Sequence, residues 1–440
     1  MNFSDIWWAV PFLGIIFSMS FLPLLCPNFW HKYASFVPVF WASVYLASVA
    51  YVFGVKNILP AILEPLFEHY MPFILLISSL YITSGGIYVD FPRGRGPLFN
   101  VCFLFVGSLV AGWIGTTGAA TLLIRPFLRA NVGRKHKTHL LVFFIFLIAN
   151  IGGAATPLGD PPLFIGFLEG VNFFWFLKNL TGVLLITTLG LCLLFFIIDS
   201  WFYREGADMR EIKLLEKRFV FKGARNLVLL AMILLTVIFC NSEGDAQSNE
   251  LISYPSLIRN ILLVIIPLVS LKITPKEIRE RNHFSFAPIR EVAELFAAIF
   301  VTVIPIIHML HKGPTGELKW IFDWIAPAGT FMPDRCFWAS GLLSSMLDNA
   351  PTFLIFFHLT SGNALELMTV KSWILTAISM ATVFMGALTY IGNAPNLMVK
   401  SISEGYGIKV PSFMGYMIWS VSILIPVFLM ISLWLQHAGT

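Results

Sequence analysis

An all-α polytopic membrane protein built from two inverted repeats is the fold class this sequence predicts. Three observations predict it: an apolar composition, a one-sided distribution of basic connectors, and a pair of broken apolar stretches that recurs in the second half. Hydrophobic residues make up 57% of the 440 and charged residues 12%, against about 45–50% and about 25% in a soluble domain. A chain of this length can bury a large core, but it cannot also hide this much apolar surface without lipid. The formal charge of +5 does not point to nucleic acid, because the basic residues sit in short connectors and form no continuous stripe. Cys26, Cys102, Cys192, Cys240 and Cys336 are scattered with no paired spacing. Neither a disulfide framework nor a zinc site follows, and they read as small buried hydrophobes. No cofactor is implied.

A spanning helix needs about 20 mostly apolar residues. About ten such spans are predicted, at 5–25, 34–55, 70–89, 138–170, 182–200, 226–242, 258–272, 291–311, 372–403 and 412–435. Two further apolar stretches, 99–131 and 335–360, have polar, Gly- or Pro-bearing centres and read as re-entrant hairpins. The N-terminal stretch has neither the basic start nor the small-residue cleavage site of a signal peptide, so it reads as the first retained helix.

The positive-inside rule orients this layout. One set of connectors holds 20 of the 29 lysines and arginines, seven of them between Arg204 and Arg225, and the opposite set holds five. Loop 241–257 carries Glu243, Asp245 and Glu250 with no basic residue and reads as an outside segment. The loops at 90–98 and 132–137 are both basic, so both belong inside and 99–131 enters and leaves on one side. Both termini then fall outside, in the periplasm of a bacterial inner (cytoplasmic) membrane. Arg134-Lys135-His136-Lys137 reads as a topology determinant able to touch anionic lipid.

The halves resemble each other, as transporter repeats do. Residues 115–121 read GTTGAAT and residues 346–352 read MLDNAPT, each centring a hairpin. About forty residues later, GAATPLGDPP at 153–162 faces GALTYIGNAP at 386–395. At an offset of 233, Gly153, Ala154, Thr156, Gly159 and Pro162 match Gly386, Ala387, Thr389, Gly392 and Pro395, with Asp160 opposite Asn393. At an offset of 231, Thr117 falls opposite Asp348. The expected organisation is an N-terminal repeat over 1–200 with hairpin 99–131 and broken helix 138–170. A cytoplasmic connector over 201–225 follows, then a C-terminal repeat over 226–440 with hairpin 335–360 and broken helix 372–403.

Gly, Pro, Thr, Asp and Asn in mid-membrane break helices, and the freed backbone groups cannot face lipid. They must be buried against protein or around a polar cavity. A broken helix supplies carbonyls for a cation and N–H groups for an anion. Four breaks paired by symmetry point to one composite site near the midplane.

At these motifs the chain resembles the ion transporter superfamily. The likeness is concentrated in GTTGAAT with LLIRPFLRAN (122–131), IGGAATPLGDPP (151–162), LDNAPT and IGNAPN (391–396). TPLGD and LDNAP look most like the branch of NhaD-type sodium/proton antiporters and of CitMHS-like citrate transport proteins. The resemblance implies a scaffold and a moving part in each half, an elevator mechanism, and often a homodimer. It places one sodium site at Thr116, Thr117 and Gly118 with Gly153, Ala154 and Thr156. The other falls at Asp348 and Asn349 with Ala387 and Thr389. The hairpin tips depart from the dicarboxylate branch, reading Gly-Thr-Thr and Asp-Asn-Ala where that branch carries Ser-Asn-Thr.

Asp160 and Asp348 are the carboxylates expected deep in the membrane, where an ionisable group is functional by default. Burial favours the neutral acid and a bound cation favours the carboxylate, so one carboxyl can trade a proton for sodium. Thr117, Asn349, Thr389 and Asn393 are expected as neutral oxygen donors. Glu68, Glu294, His308 and Arg125 are secondary candidates. Arg125, on the returning limb of the first hairpin with Arg129, could hold an acidic residue or an anion, or snorkel toward the inner surface. No phosphate loop, nucleophile elbow or metalloprotease motif is present, so no enzyme is expected. The leading expectation is a Na⁺/H⁺ antiporter. The alternatives are a Na⁺- or H⁺-coupled symporter of a small carboxylate such as citrate, and an anion transporter resembling arsenite permeases.

Overall fold

The computed structural model describes residues 5–26, 29, 32–92, 94–204, 218–240, 254–316 and 319–438. Residues 205–217 of the 201–225 connector and 241–253 of loop 241–257 lie outside the described residues.

The protein is an all-α polytopic membrane protein. Among the described residues, eight helical segments are long and apolar enough to cross a bilayer, including Phe36–Phe53, Pro97–Ile114, Phe173–Arg204 and Phe413–His437. Three shorter apolar helices are Ile6–Met19, Arg225–Phe239 and Ser372–Leu388. The peripheral helices turn large apolar side chains outward, such as Phe36, Tyr51, Ile186 and Met414. That surface is soluble only in lipid.

In chain order the helices are α1 Val10–Leu25, α2 Phe36–Phe53, α3 Ile58–Pro65, α4 Met71–Ser84, α5 Pro97–Ile114, α6 Thr116–Ala130, α7 Thr138–Leu147, α8 Pro161–Leu168 and α9 Phe173–Arg204. Then come α10 Arg225–Phe239, α11 Tyr254–Ile273, α12 Lys276–Arg281, α13 Ala287–His311, α14 Lys319–Ile325 and α15 Pro333–Met346. The last five are α16 Asn349–Thr360, α17 Ala364–Met368, α18 Ser372–Met385, α19 Ala394–Gly405 and α20 Phe413–Ala438. A π-helical turn, Leu66–Tyr70, joins α3 to α4, so this helical segment begins well before the expected residue 70. A small antiparallel pair interrupts the helical plan. Strand β1 (Tyr88–Asp90) pairs with β2 (Val220–Lys222), so the helix expected over 70–89 ends at Ser84 and its last residues join a strand instead.

The centre of the bundle is α7. Leu140 through Ile148 are fully buried, as expected of a helix that is apolar all round and packed on every side. Both anticipated breaks in the backbone are present. After α7 the chain passes through a 3₁₀ turn, Ile151–Ala155, and an extended Thr156 before α8 starts. After α18 it passes through Gly386–Leu388 and an extended Thr389 before α19 starts. The stretch at 99–131 is two helices parted at Gly115, whose φ of +83° is left-handed backbone that glycine adopts without strain. The stretch at 335–360 is two helices parted at Leu347 and Asp348.

One buried polar network ties the first half together. Asp199 on α9 accepts from Asn100 of α5 at 2.9 Å, meets His139 of α7 at 2.9 Å and pairs with Arg134. Asn100 and Asn131 exchange amide bonds at 2.8 and 2.9 Å. Arg134 is therefore more than a topology determinant. It is buried and fastens the α6–α7 loop to α9, because a charge removed from water must be paired.

Candidate functional site

The four breaks meet at one carboxylate. Asp160 is the N-cap of α8, and its backbone is extended with no side-chain bond to its own helix. A capping aspartate would normally turn back to the first free N–H groups. Here the side chain reaches across the bundle instead. Oδ1 accepts from the Thr116 hydroxyl at 2.6 Å and from the Asn393 amide at 3.3 Å. Oδ2 accepts from the Asn349 amide at 2.7 Å. Thr116 opens α6, Asn349 opens α16, and Asn393 is the N-cap of α19. Four helix N-termini, two from each half of the chain, thus face one buried acid.

The donors are themselves fixed. The one proton of the Ser344 hydroxyl is shared between the Asn349 side-chain oxygen at 2.9 Å and the Thr382 carbonyl at 2.7 Å. The Asn393 amide is shared with the Ala149 carbonyl and with Asn150 at 3.1 and 3.2 Å. The Thr116 N–H donates to the Gly159 carbonyl at 2.8 Å, which seats the start of α6 on the first break.

Close backbone approach explains the glycines. A Cβ on Gly159 would lie 2.1 Å from the Gly153 carbonyl oxygen, and one on Gly392 would lie 2.7 Å from that of Gly386. A Cβ on Gly153 would strike the Thr116 side chain at 2.7 Å, and one on Gly386 would strike Asn349 at 2.6 Å. Thr116 and Asn349 therefore occupy corresponding places. Their interval is 233, the same that relates the two breaks, and it differs by two residues from the 231 that set Thr117 opposite Asp348.

Asp348 behaves differently from Asp160. It caps α16 by accepting from the Ala350 N–H at 3.4 Å and is part-exposed. It lies within electrostatic reach of Asp160. Thr156 and Thr389 donate to hairpin carbonyls, Gly112 at 2.5 Å and Ser345 at 2.6 Å respectively. Each also accepts a backbone N–H, from Leu158 and from Gly392. Both hydroxyls are thereby engaged in fastening each break to its neighbouring hairpin. Ala154 is a buried apolar contact, and the Ala387 carbonyl accepts from Tyr416 at 2.7 Å. Gly118 packs against Ser84, and Thr117 is part-exposed beside the cluster.

The secondary candidates lie elsewhere. Glu294 pairs with Arg290 at 2.6 Å. His308 contacts the Ile304 carbonyl at 3.2 Å. Glu68 stands on the π turn, 4.0 Å from His69. Arg125 donates to the Thr121 carbonyl at 3.3 Å, whereas Arg129 pairs with Asp90 at 2.9 Å.

Two residues of the cluster were not anticipated. The Asn150 amide donates to Asn396 at 2.7 Å, and the Asn396 amide holds the Gly386 and Thr389 carbonyls at 2.9 and 3.0 Å. Their signal was present, since each asparagine flanks a break inside an apolar run. A second polar group also escaped notice: Glu169 at the end of α8 lies 3.6 Å from His69 and 3.6 Å from His358.

Among the described residues no group of three or more His, Cys, Asp or Glu could hold a metal ion, and the four-break cluster offers one buried acid among neutral donors. No curated protein sequence matches this chain. The model of the family described as Putative citrate transport matches residues 2–436, nearly the whole chain. The protein is therefore a non-enzymatic secondary transporter of ions or small solutes, and it belongs to the Putative citrate transport family.

Proposed function

We propose that this protein couples the movement of a small carboxylate such as citrate to sodium or protons held at Asp160. The observation that carries the reading is the meeting of four helix N-termini at one buried acid. Each N-terminus carries about half a positive charge, so four supply about +2. Asp160 and Asp348 together balance that field when both are ionised. A sodium ion or proton on either one leaves the N-termini unbalanced, and they then favour an anion. Cation first and anion second is the order a symporter needs. The family match favours this alternative over the Na⁺/H⁺ antiporter that the motifs alone brought forward.

The antiporter remains the second reading, and one observation favours it. Every group touching the Asp160 carboxylate is neutral, so nothing in contact with it opposes exchange of a proton for sodium.

Supporting the inverted-repeat architecture are the contacts that recur at the interval of 233 residues: Thr156 to Gly112 and Thr389 to Ser345, Gly159 against Gly153 and Gly392 against Gly386. In this reading 1–200 and 226–440 are the repeats, and α5–α6 and α15–α16 are re-entrant hairpins. The remaining apolar helices make ten spans, and the hairpins and broken helices move together as an elevator. The basic connectors support an inner-membrane orientation with both termini outside. A homodimer rests on the family resemblance alone.

The test is uptake by purified protein in vesicles. Labelled citrate is offered under an imposed Na⁺ or pH gradient, with an internal pH dye recording proton flux. Citrate accumulation that requires the gradient supports the symporter. Collapse of a pH gradient by Na⁺ without citrate uptake replaces it with the antiporter.

A further inference from the structure

One face of α6 is polar at every turn and leads away from the break cluster. Thr117, Thr121, Arg125 and Arg129 recur at intervals of four, which places them on one helical face. All four are part-exposed, while Ile124, Phe127, Leu128 and Ala130 on the other faces are buried. The stripe faces α19 from the other half of the chain. Thr121 lies 3.2 Å from the Met398 sulfur, and Arg129 lies 3.4 Å from the Tyr406 hydroxyl.

The two arginines differ in their pairing. Arg129 is neutralised by Asp90 and held by the Val89 carbonyl at 3.1 Å. Among the described residues, Arg125 donates only to the carbonyl of Thr121, one turn back along its own helix. That bond folds the guanidinium toward the break cluster, the direction opposite to snorkelling. The ionisable groups within electrostatic reach of Arg125 are Tyr81, Tyr406 and Arg129, none of them acidic. An arginine within the membrane normally finds a partner or marks a pathway, and a guanidinium is shaped to grip a carboxylate with two parallel bonds.

We infer that Arg125 is an anion-recognition residue, set about 12 Å along α6 from Thr117, and that the α6–α19 seam is a route by which a carboxylate travels between the break cluster and the basic end of the protein. Thr117 and Thr121 supply hydroxyls along it. Arg129, already paired with Asp90, anchors its outer limit. The inference rests on the carboxylate reading above.

The experiment uses full-length protein, with citrate uptake in vesicles and thermal stabilisation by citrate and by Na⁺ in detergent. Arg125→Gln is expected to raise the KM for citrate about ten- to hundredfold and to abolish citrate stabilisation while Na⁺ stabilisation persists. Arg125→Lys keeps the charge but not the fork and is expected to fall between, and it carries the test if the glutamine variant does not fold. Arg129→Gln is expected to lower thermal stability, because it leaves Asp90 without its partner. Citrate KM within twofold of wild type in Arg125→Gln overturns the role of Arg125 and leaves the carboxylate reading standing. Wild-type protein that neither binds nor moves citrate, yet exchanges Na⁺ for protons, overturns both.

Discussion

Replacing Asp160 by asparagine is the sharpest perturbation of the break cluster, because it removes one charge and changes almost no volume. Three donors point at the carboxylate, from Thr116, Asn349 and Asn393. An amide presents one oxygen and one NH₂ group, so in either orientation an NH₂ faces a donor. If it faces Asn349, that amide can adapt only by turning its NH₂ to the Ser344 hydroxyl, which gives up its bond to the Asn349 oxygen. A lost bond to a charged acceptor costs about 1.5–3 kcal/mol, offset in part by the removal of a buried charge. The net change in stability should therefore be small, about 1–2 kcal/mol. Cation binding should change far more. A unit charge at 4 Å contributes about 4 kcal/mol at an effective dielectric constant of 20, or about a thousandfold in affinity. The assay is gradient-driven citrate accumulation in vesicles, paired with Na⁺-dependent thermal stabilisation. Asp160→Asn is expected to fold, to lose Na⁺ stabilisation, and to move citrate only down its own gradient. Accumulation with unchanged ion dependence would refute the assignment of the coupling cation to Asp160.

Five other outcomes are expected. Gly159→Ala places a Cβ against the Gly153 carbonyl oxygen and should cost at least about 3 kcal/mol. Gly182→Ala meets open space and should leave the melting temperature unchanged or raised. Thr156→Val and Thr389→Val each strand a hairpin carbonyl and a backbone N–H, so each should destabilise by about 1–3 kcal/mol, with similar values in the two halves by thermal unfolding. Asp199→Ala removes the one carboxylate that buried Arg134 and His139 share and should lower stability by about 3–5 kcal/mol, seen as loss of monodisperse protein on extraction. Glu366, outside the spans, is held below the ordinary carboxylate range by hydrogen bonds from Lys371 and Ser361. Its contribution is complete above the unfolded-state value and disappears as pH falls through the lowered folded-state value. Lys371→Met should move the Glu366 midpoint upward in a carboxylate NMR titration.

Much of the site was legible because its chemistry is local. The glycines and prolines at 153–162 and 386–395 had to break their helices, and both breaks fall there. The pairing of Asp160 with Asn393 at an offset of 233 became a contact at 3.3 Å. Less legible was the division of labour. Asp160 and Asp348 look alike in sequence, each beside asparagine- or proline-rich breaks. Yet Asp348 turns back to cap α16 while Asp160 leaves its own helix uncapped. Thr156 and Thr389, expected as ion ligands, use their hydroxyls on hairpin carbonyls. Asn150 and Asn396 each flank a break, but nothing local says that their amides meet across 246 residues of chain.

Composition and local backbone chemistry by themselves determined the membrane class, the positions of the four breaks, and the small set of polar residues able to stand there. These follow from what lipid permits a backbone to do. The tertiary structure alone decided which carboxylate the four N-termini share, and that Arg125 meets no carboxylate among the described residues. Asp160 meets Asn349 and Asn393 across 189 and 233 residues of chain, and contacts of that separation depend on how the two halves pack rather than on any neighbour in sequence.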